Sequence, residues 1–296
     1  MILYIKMKFV CTDERIYRAE RGVFLENSIV FDHNSLMEMI GHSSKGNQLK
    51  WKHEDKWYKA DHMGYEGLSE VIISRLLQKS NVNNFVKYSK VEISYYDKMF
   101  HGCCSENFLS PTEELITVNK LYRQITGREL SKEVARIPEL QDRIVFFMEV
   151  IGEMTGLKHF GEYITAELAI DAFFLNEDRH MNNIAVIHDT KTGEYRYCPY
   201  FDNGLSLFSD LLDDFPLTKS IVECRKTIKA KPFDRDFDLQ LDAAEKLYGQ
   251  GVRFSFGVND VKDELEDFAD VYETEILKRV EEVLRYQISK YQYLFV

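Results

Sequence analysis

The spacing of apolar residues changes after about residue 105, and this change constrains the fold more than any other feature. Before it, apolar residues fall in short runs separated by turn residues, as is typical of strands. From Pro111 onward they recur every three or four positions, as is typical of helices. We therefore expect an α+β chain in two lobes, a β-rich N-terminal lobe over residues 1–105 and a mostly helical C-terminal lobe over residues 106–296.

The pattern also predicts individual elements. Gln48–Trp51 and Lys56–Ala60 are expected to form a hairpin that turns at His53–Asp55. A helix with one apolar face, made by Leu68, Ile72, Leu76 and Leu77, should follow, and then a strand over Tyr88–Tyr96. The second lobe is predicted to contain helices over 112–125, 138–155 and 161–175, a hairpin of Ile184–Ile187 with Tyr195–Phe201, and one long tail helix through Val261–Leu284.

Composition excludes several classes of protein. The 38 basic and 49 acidic residues give a net charge of −11, and no dense basic run is present, so nucleic acid is not an expected partner. No apolar run approaches the ~20 residues of a membrane helix. The five cysteines form no CxxC pair, which argues against a zinc site or a disulfide framework. We expect a cytoplasmic protein, with secretion as an effector left open.

The most informative stretch is Asn176–Asn183, which precedes the predicted second hairpin and contains Asp178. The hairpin strands are antiparallel, so Asn183 at its entry and Asp202 at its exit should lie side by side. An amide and a carboxylate there can hold Mg²⁺, while Asp178 stays available to orient a hydroxyl. Phosphoryl transfer needs such a set. Each piece alone would also suit a helix cap or a turn.

The first lobe offers the matching cation. Lys59 lies in a strand of apolar or small residues, and Glu70 opens the helix that follows. Kinases hold the lysine that contacts the nucleotide phosphates in this way, although a lone strand lysine is more often a surface residue. Upstream, the loop Gly41–Gly46 contains Ser43, Ser44 and Lys45, and its backbone N–H groups are suited to lie over phosphates.

Taken together, these motifs resemble the HipA-like serine/threonine kinases, and most closely their compact CtkA-like branch. The similarity covers roughly residues 40–235. Its most specific part is the Asp-Arg-His-x-x-Asn run from Asp178 to Asn183, and it includes Gly102–Phe108 and Lys231-Pro-Phe233. The resemblance implies a two-lobed protein-kinase-like fold that binds ATP and Mg²⁺ and phosphorylates Ser or Thr of a protein substrate.

The resemblance also implies roles for individual residues. Asp178 would be the catalytic base, and Asn183 and Asp202 would bind Mg²⁺. Lys59, supported by Glu70, would contact the ATP phosphates, and His180 would touch them as well. The segment around Cys103–Phe108, which includes Cys104, would join the lobes and bind adenine through its backbone. The loop made of Gly41, Ser43, Ser44, Lys45 and Gly46 would cover the phosphates, with autophosphorylation at Ser43 or Ser44.

Two other classes remain open from the sequence. The Asp-Arg-His-x-x-Asn run also occurs in phosphoinositide kinases, so a lipid or small-molecule kinase is the first alternative. A catalytically silent nucleotide-binding module of a toxin–antitoxin type system, acting with a regulatory partner protein, is the second. The presence of every expected catalytic residue favours an active enzyme over the second alternative.

Overall fold

The computed structural model describes residues 28–32 and 48–296. The N-terminal lobe contains the strands β1 (Ser28–Phe31), β2 (Lys50–His53), β3 (Lys56–Ala60), β4 (Tyr88–Tyr95) and β5 (Lys98–Glu106). They form one five-stranded sheet in the order β1-β4-β5-β3-β2. Strand β1 runs parallel to β4, and the other neighbours are antiparallel. The predicted hairpin of β2 and β3 is present, and so is the predicted strand β4.

Strand β5 lies between β3 and β4, yet the sequence pattern does not predict it. Its turn from β4 is made by Tyr96 and Asp97, whose φ angles are 50° and 57°. Two-residue turns with positive φ match the twist of a hairpin, but they usually carry Asn or Gly. A Tyr-Asp pair therefore gives little turn signal. In the sheet, Cys103 of β5 stands opposite Lys59 of β3.

Helix α1 (Glu66–Leu77) follows β3, and every residue in it except Arg75 is buried. The sequence predicts one apolar face, whereas the structure buries the helix against the sheet on one side and the C-terminal lobe on the other. The approach to the sheet is close because Gly67 faces Gly102 of β5. A Cβ on Gly67 would lie 2.7 Å from the backbone of Gly102.

The C-terminal lobe is mostly helical, as predicted. A small sheet in the order β6-β7-β8 contains β6 (Glu113–Thr117), β7 (Ala185–Asp189) and β8 (Tyr195–Tyr197), and the last two are the predicted hairpin. The helices are α2 (Val118–Thr126), α3 (Leu130–Ala135), α4 (Leu140–Thr155), α5 (Phe160–Phe174), α6 (Ile221–Thr227), α7 (Phe237–Tyr248), α8 (Val258–Glu266) and α9 (Thr274–Lys290). The α+β architecture in two lobes is therefore confirmed.

The predicted helix over 112–125 is wrong in its first half. Residues 113–117 form β6, which pairs along its whole length with β7. Thr117 then begins α2 as its N-cap, because its side chain accepts the N–H of Lys120. Pairing with β7 outweighs the local preference of this segment, and preferences of this kind are commonly overridden by tertiary contacts.

The predicted single tail helix is also wrong, because the chain breaks between α8 and α9. In this break, Asp267 accepts hydrogen bonds from Lys90 and Arg75, with a distance of 2.8 Å to each side-chain nitrogen. Tyr272 donates its hydroxyl to Asp61 Oδ2 at 2.7 Å. In a continuous helix, positions five apart differ by about 140° in direction, so both side chains could not face the N-terminal lobe together.

One large core joins the two lobes. It includes α1 together with the buried faces of the C-terminal helices, whereas a smaller aromatic cluster around Trp51 covers the opposite face of the sheet. Among residues 28–32 and 48–296, no helix is both long and apolar enough to cross a membrane. The division at residues 105 and 106 remains a prediction. In the structure, β5 ends at Glu106 and the next element begins at Glu113.

Candidate active site

Lys59 lies at the centre of a charge cluster between the lobes. Its Nζ is 2.5 Å from Glu70 Oε1 of α1 and 2.7 Å from Asp202 Oδ1 in the C-terminal lobe. Burial by itself would lower the pKa of the Lys59 ammonium, but the carboxylates of Asp202 and Glu70 outweigh it and raise that pKa well above the ordinary value. Lys59 is therefore a fixed positive charge, and the helix glutamate holds it as the sequence predicts.

Asp202 lies at the end of the segment that follows β8, and its backbone is in the left-handed region with a φ of 60°. Non-glycine residues held there cost free energy and cluster at functional sites. Burial would raise the pKa of Asp202, but Lys50 and Lys59 hold it well below its ordinary value. The carboxylate therefore remains ionised, and 22% of the side chain is exposed.

Glu70 also fixes the chain beyond Asp202. Its second oxygen, Oε2, accepts the backbone N–H of Asn203 at 2.9 Å. One buried glutamate thus connects the strand lysine, helix α1 and the segment that carries Asp202. Because both contacts are made by one side chain, a shift of α1 would change the positions of Lys59 and of the segment that carries Asp202 together.

Asp178 lies in the loop after α5, with both carboxylate oxygens engaged. Oδ2 accepts Nδ2 of Asn183 at 3.2 Å, and Oδ1 accepts Nζ of Lys231 at 3.0 Å. His180 Nε2 is 3.8 Å from Oδ1. The carboxylate is thus held in one orientation, at the place where the sequence predicts a group that orients a hydroxyl.

Buried Arg179 holds this loop against the hairpin that follows. Its Nη1 donates to the carbonyl oxygens of Asn183 at 3.0 Å and Phe201 at 2.9 Å. Its Nε donates to Asp171 of α5 at 3.0 Å. These bonds join the entry of the β7–β8 hairpin to the segment that leaves it. They explain physically how Asn183 and Asp202 come near each other.

Glu167 also pairs with Arg179, and its Oε1 lies 3.3 Å from Nη1. Its other oxygen, Oε2, is buried and has no hydrogen-bond partner within the part of the chain that the structure describes. Burial raises the pKa of Glu167 to about 7, in spite of the nearby guanidinium. Asp171 makes the closer pair, because it accepts both Nε and Nη2 of Arg179.

Asp178, Asn183 and Asp202 line one cleft, and Lys50 of β2 lines the same cleft. The donor set suits Mg²⁺, which prefers oxygen ligands from carboxylates and carbonyls. Asn183 uses its amide nitrogen on Asp178, which leaves its amide oxygen as the atom suited to a cation. Asp202 would supply a carboxylate oxygen beside it. The two predicted metal residues thus fit a divalent ion chemically.

The segment Cys103–Phe108, which is predicted to bind adenine, begins inside β5 and continues beyond its end. Cys103 and Cys104 lie within β5, which has β3 on one side and β4 on the other. Their backbone polar groups therefore face these two strands, and the contact of the whole segment with adenine stays a prediction. The chain leaves the sheet after Glu106, and the N–H of Asn107 donates to Asp55 O at 2.7 Å.

The remaining predicted residues differ in what the structure says of them. Gly41, Ser43, Ser44, Lys45 and Gly46 lie outside the described residues, and the phosphate-covering loop stays a prediction. His180 is one-fifth exposed beside Asp178, and its contact with phosphate also stays a prediction.

Two lysines of the site were not identified by sequence reasoning. Lys50 lies 3.8 Å from Asp202 Oδ1, and it stands opposite Lys59 in the hairpin. The short turn at Glu54 and Asp55 fixes this register, so the turn was the available signal. Lys231 belongs to the Lys-Pro-Phe run that the resemblance includes, but no pattern in the sequence connects it with Asp178.

The comparisons with known proteins agree with this fold. No family model and no curated protein sequence matches the chain. Among solved structures, the chain is similar to the crystal structure of the Helicobacter pylori proinflammatory kinase CtkA. The TM-score is 0.58 at 17% identity, over 88% of this chain and 95% of that chain. The predicted two-lobed, kinase-like α+β fold is thereby confirmed, and the predicted resemblance to the CtkA-like branch holds at the level of the fold.

Proposed function

We propose that the protein is a kinase that uses ATP and Mg²⁺ and transfers the γ-phosphate to a Ser or Thr hydroxyl of a protein substrate. The observation that carries this proposal is the contact of one strand lysine, Lys59, with both Glu70 and Asp202. Of these residues, Asp202 lines the cleft that Asp178 and Asn183 also line. A cation, an acidic metal ligand and a fixed carboxylate are the parts that phosphoryl transfer requires.

In the proposed reaction, each residue acts mainly through its charge or position. Lys59 would bind the nucleotide phosphates, and Glu70 would keep its ammonium in place. Asn183 and Asp202 would hold Mg²⁺, which neutralises phosphate charge when it is bound. Asp178 would accept a hydrogen bond from the acceptor hydroxyl and orient its oxygen toward the γ-phosphorus. Positioning and preorganised charge would then supply most of the rate.

The similarity of the fold to that of a known kinase supports phosphotransfer in general, and the site chemistry supports the choice of ATP and Mg²⁺. The protein acceptor is the finer part of the proposal, and it rests on the resemblance of the Asp178–Asn183 run to HipA-like kinases. A phosphoinositide acceptor is the alternative, because the same run occurs in lipid kinases. A substrate test must therefore include both kinds of acceptor.

The test is incubation with radiolabelled ATP and Mg²⁺, with mixed soluble proteins in one arm and phosphoinositide vesicles in the other. We expect label on proteins, and a loss of at least about 10²-fold in Asp178→Asn, which keeps the shape but cannot act as a base. Exposed Asp270→Asn is the matched control and should label like the wild type. Label on lipid alone would show that the acceptor is a phosphoinositide and not a protein. Transfer to neither acceptor would contradict the proposed kinase function.

A further inference from the structure

Lys231 contacts the proposed base directly from a different part of the chain. It lies between α6 and α7, and its Nζ is 3.0 Å from Asp178 Oδ1. The Lys231 side chain is 36% exposed, whereas the Asp178 side chain is 7% exposed. A partly exposed ammonium thus contacts a nearly buried carboxylate, the one proposed to orient the acceptor hydroxyl.

The backbone of Lys231 is held by a buried amide. Gln240 of α7, which is fully buried, donates its Nε2 to Lys231 O at 3.0 Å and accepts the N–H of Phe233 at 3.3 Å. Phe233 in turn packs edge-on against Phe147, with ring centroids 5.1 Å apart. Surface ion pairs contribute little because two long side chains must be ordered to form them. Here the backbone that carries the lysine is already fixed by buried contacts.

The charges around the cleft are arranged on two sides. Lys59 and Lys50 lie beside Asp202, where the metal and the inner phosphates are proposed to bind. Lys231 lies beside Asp178, where the phosphoryl group would meet its acceptor. An ammonium carries three N–H donors, so a bond to Asp178 does not prevent it from contacting a phosphate oxygen as well.

Resting on the proposed function, we propose that Lys231 is a further catalytic residue, whose ammonium contacts the phosphoryl group in transit and holds Asp178 in orientation. In that step the acceptor oxygen forms a bond to the γ-phosphorus, and the bond from phosphorus to the β–γ bridging oxygen breaks. The electron pair of the broken bond stays on ADP, and the hydroxyl proton passes to Asp178. Lys231 forms no covalent bond and supplies only positive charge.

The alternative is a structural ion pair that fastens the segment between α6 and α7 to the loop of Asp178. The two roles differ in which state of the reaction they stabilise. A structural pair supports ground state and transition state alike, whereas a charge that acts on the phosphoryl group in transit favours the transition state. Binding of a planar mimic of that group therefore separates the two roles.

The experiment measures the affinity of the full-length protein for Mg·ADP with and without aluminium fluoride, which mimics the phosphoryl group in transit. We expect Lys231→Met to bind Mg·ADP as tightly as the wild type, but to lose about 10²- to 10³-fold in affinity for the fluoride complex, as for one preorganised donor. Lys231→Arg, which keeps the charge, should bind that complex more tightly than Lys231→Met. Exposed Lys229→Met, in the same segment, should match the wild type.

The outcomes distinguish the inference from the function on which it rests. The inference is wrong if Lys231→Met binds both complexes as tightly as the wild type, or if it loses the same factor in affinity for both. In either case, a wild type that binds the fluoride complex more tightly than Mg·ADP still supports the proposed function. If the wild type binds neither complex, both proposals are wrong. A selective loss of the fluoride complex, accompanied by a similar fall in kcat at unchanged KM for ATP, supports the catalytic role.

Discussion

Lys59 combines a structural and a chemical task in one side chain. It neutralises Glu70, which is 1% exposed, and it contacts Asp202 across the cleft. A buried carboxylate that loses its cation is costly, because the desolvation of the charge is no longer compensated. The same ammonium is proposed to bind phosphate. A substitution at this residue should therefore reduce both stability and activity, and a second substitution can separate the two effects.

We predict that Lys59→Met lowers the free energy of unfolding by about 3–5 kcal/mol, the usual cost of breaking a buried pair. Phosphate transfer should fall by about 10²- to 10³-fold. Adding Glu70→Gln removes the stranded charge and keeps an oxygen for the N–H of Asn203, so the double variant should regain stability and remain inactive. Urea unfolding and the transfer assay measure the two effects, with exposed Lys52→Met as control. Unchanged stability in Lys59→Met would contradict the prediction.

At the level of single residues, the sequence predicted pairs that are close in the chain or joined by simple topology. Glu70 lies in the helix that follows the strand of Lys59, and the hairpin brings Asp202 back toward Asn183. It did not predict Lys231, because the contact with Asp178 depends on how the segment between α6 and α7 folds back over the lobe. It also did not reveal the central role of Arg179, since a buried arginine has no periodic signature.

Elements behave in the same way. Hairpins with clear turns and helices with regular apolar spacing were predicted well, as β2–β3 and α5 illustrate. The errors lie where a distant partner decides the conformation. Strand β6 forms because β7 pairs with it, and the tail breaks because Asp267 and Tyr272 contact the N-terminal lobe. The burial of α1 on two sides has the same origin, because α8, which packs against it, comes from the far end of the chain.

Gly67 is the position at which the seating of α1 can be tested. An added Cβ would lie 2.7 Å from the backbone of Gly102, which cannot move without disturbing the ladder of β5. Gly67→Ala should therefore shift the N-terminal end of α1 away from the sheet. Glu70 lies one turn further along, so the shift should weaken its contacts with Lys59 and Asn203.

We predict that Gly67→Ala destabilises the protein by about 1–3 kcal/mol, as overpacking usually does, and reduces transfer as well. Gly152→Ala in α4 is the matched control, because its added Cβ would meet nothing closer than 3.7 Å. Alanine is favoured over glycine within helices by roughly 1 kcal/mol, so this control should be slightly more stable than the wild type. Thermal unfolding gives both values. Equal stability of the two variants would show that α1 is not tightly seated.

At the scale of the whole molecule, the boundary between the lobes does not separate two cores. Helix α1 belongs to the N-terminal lobe by sequence, yet its residues share one continuous core with α5, α9 and the segment around Phe254. Two ion pairs reinforce this contact. Arg75 of α1 pairs with Glu264 of α8, and Lys79, which lies just beyond the end of α1, pairs with Asp260 of α8. The described parts of the two lobes thus share one core.

This shared core leads to the last prediction, on hydrogen exchange under native conditions. Amides protected by global unfolding exchange together, whereas those in independent units exchange at their own rates. We expect the middle of α1 to exchange as slowly as the middle of α5, and β2, on the sheet edge in the described part of the chain, to exchange faster. Mass spectrometry of peptic peptides from the full chain measures this. Slow exchange in α5 with fast exchange in α1 would show that the N-terminal lobe opens by itself, and that the contacts of α8 with α1 contribute little to its stability.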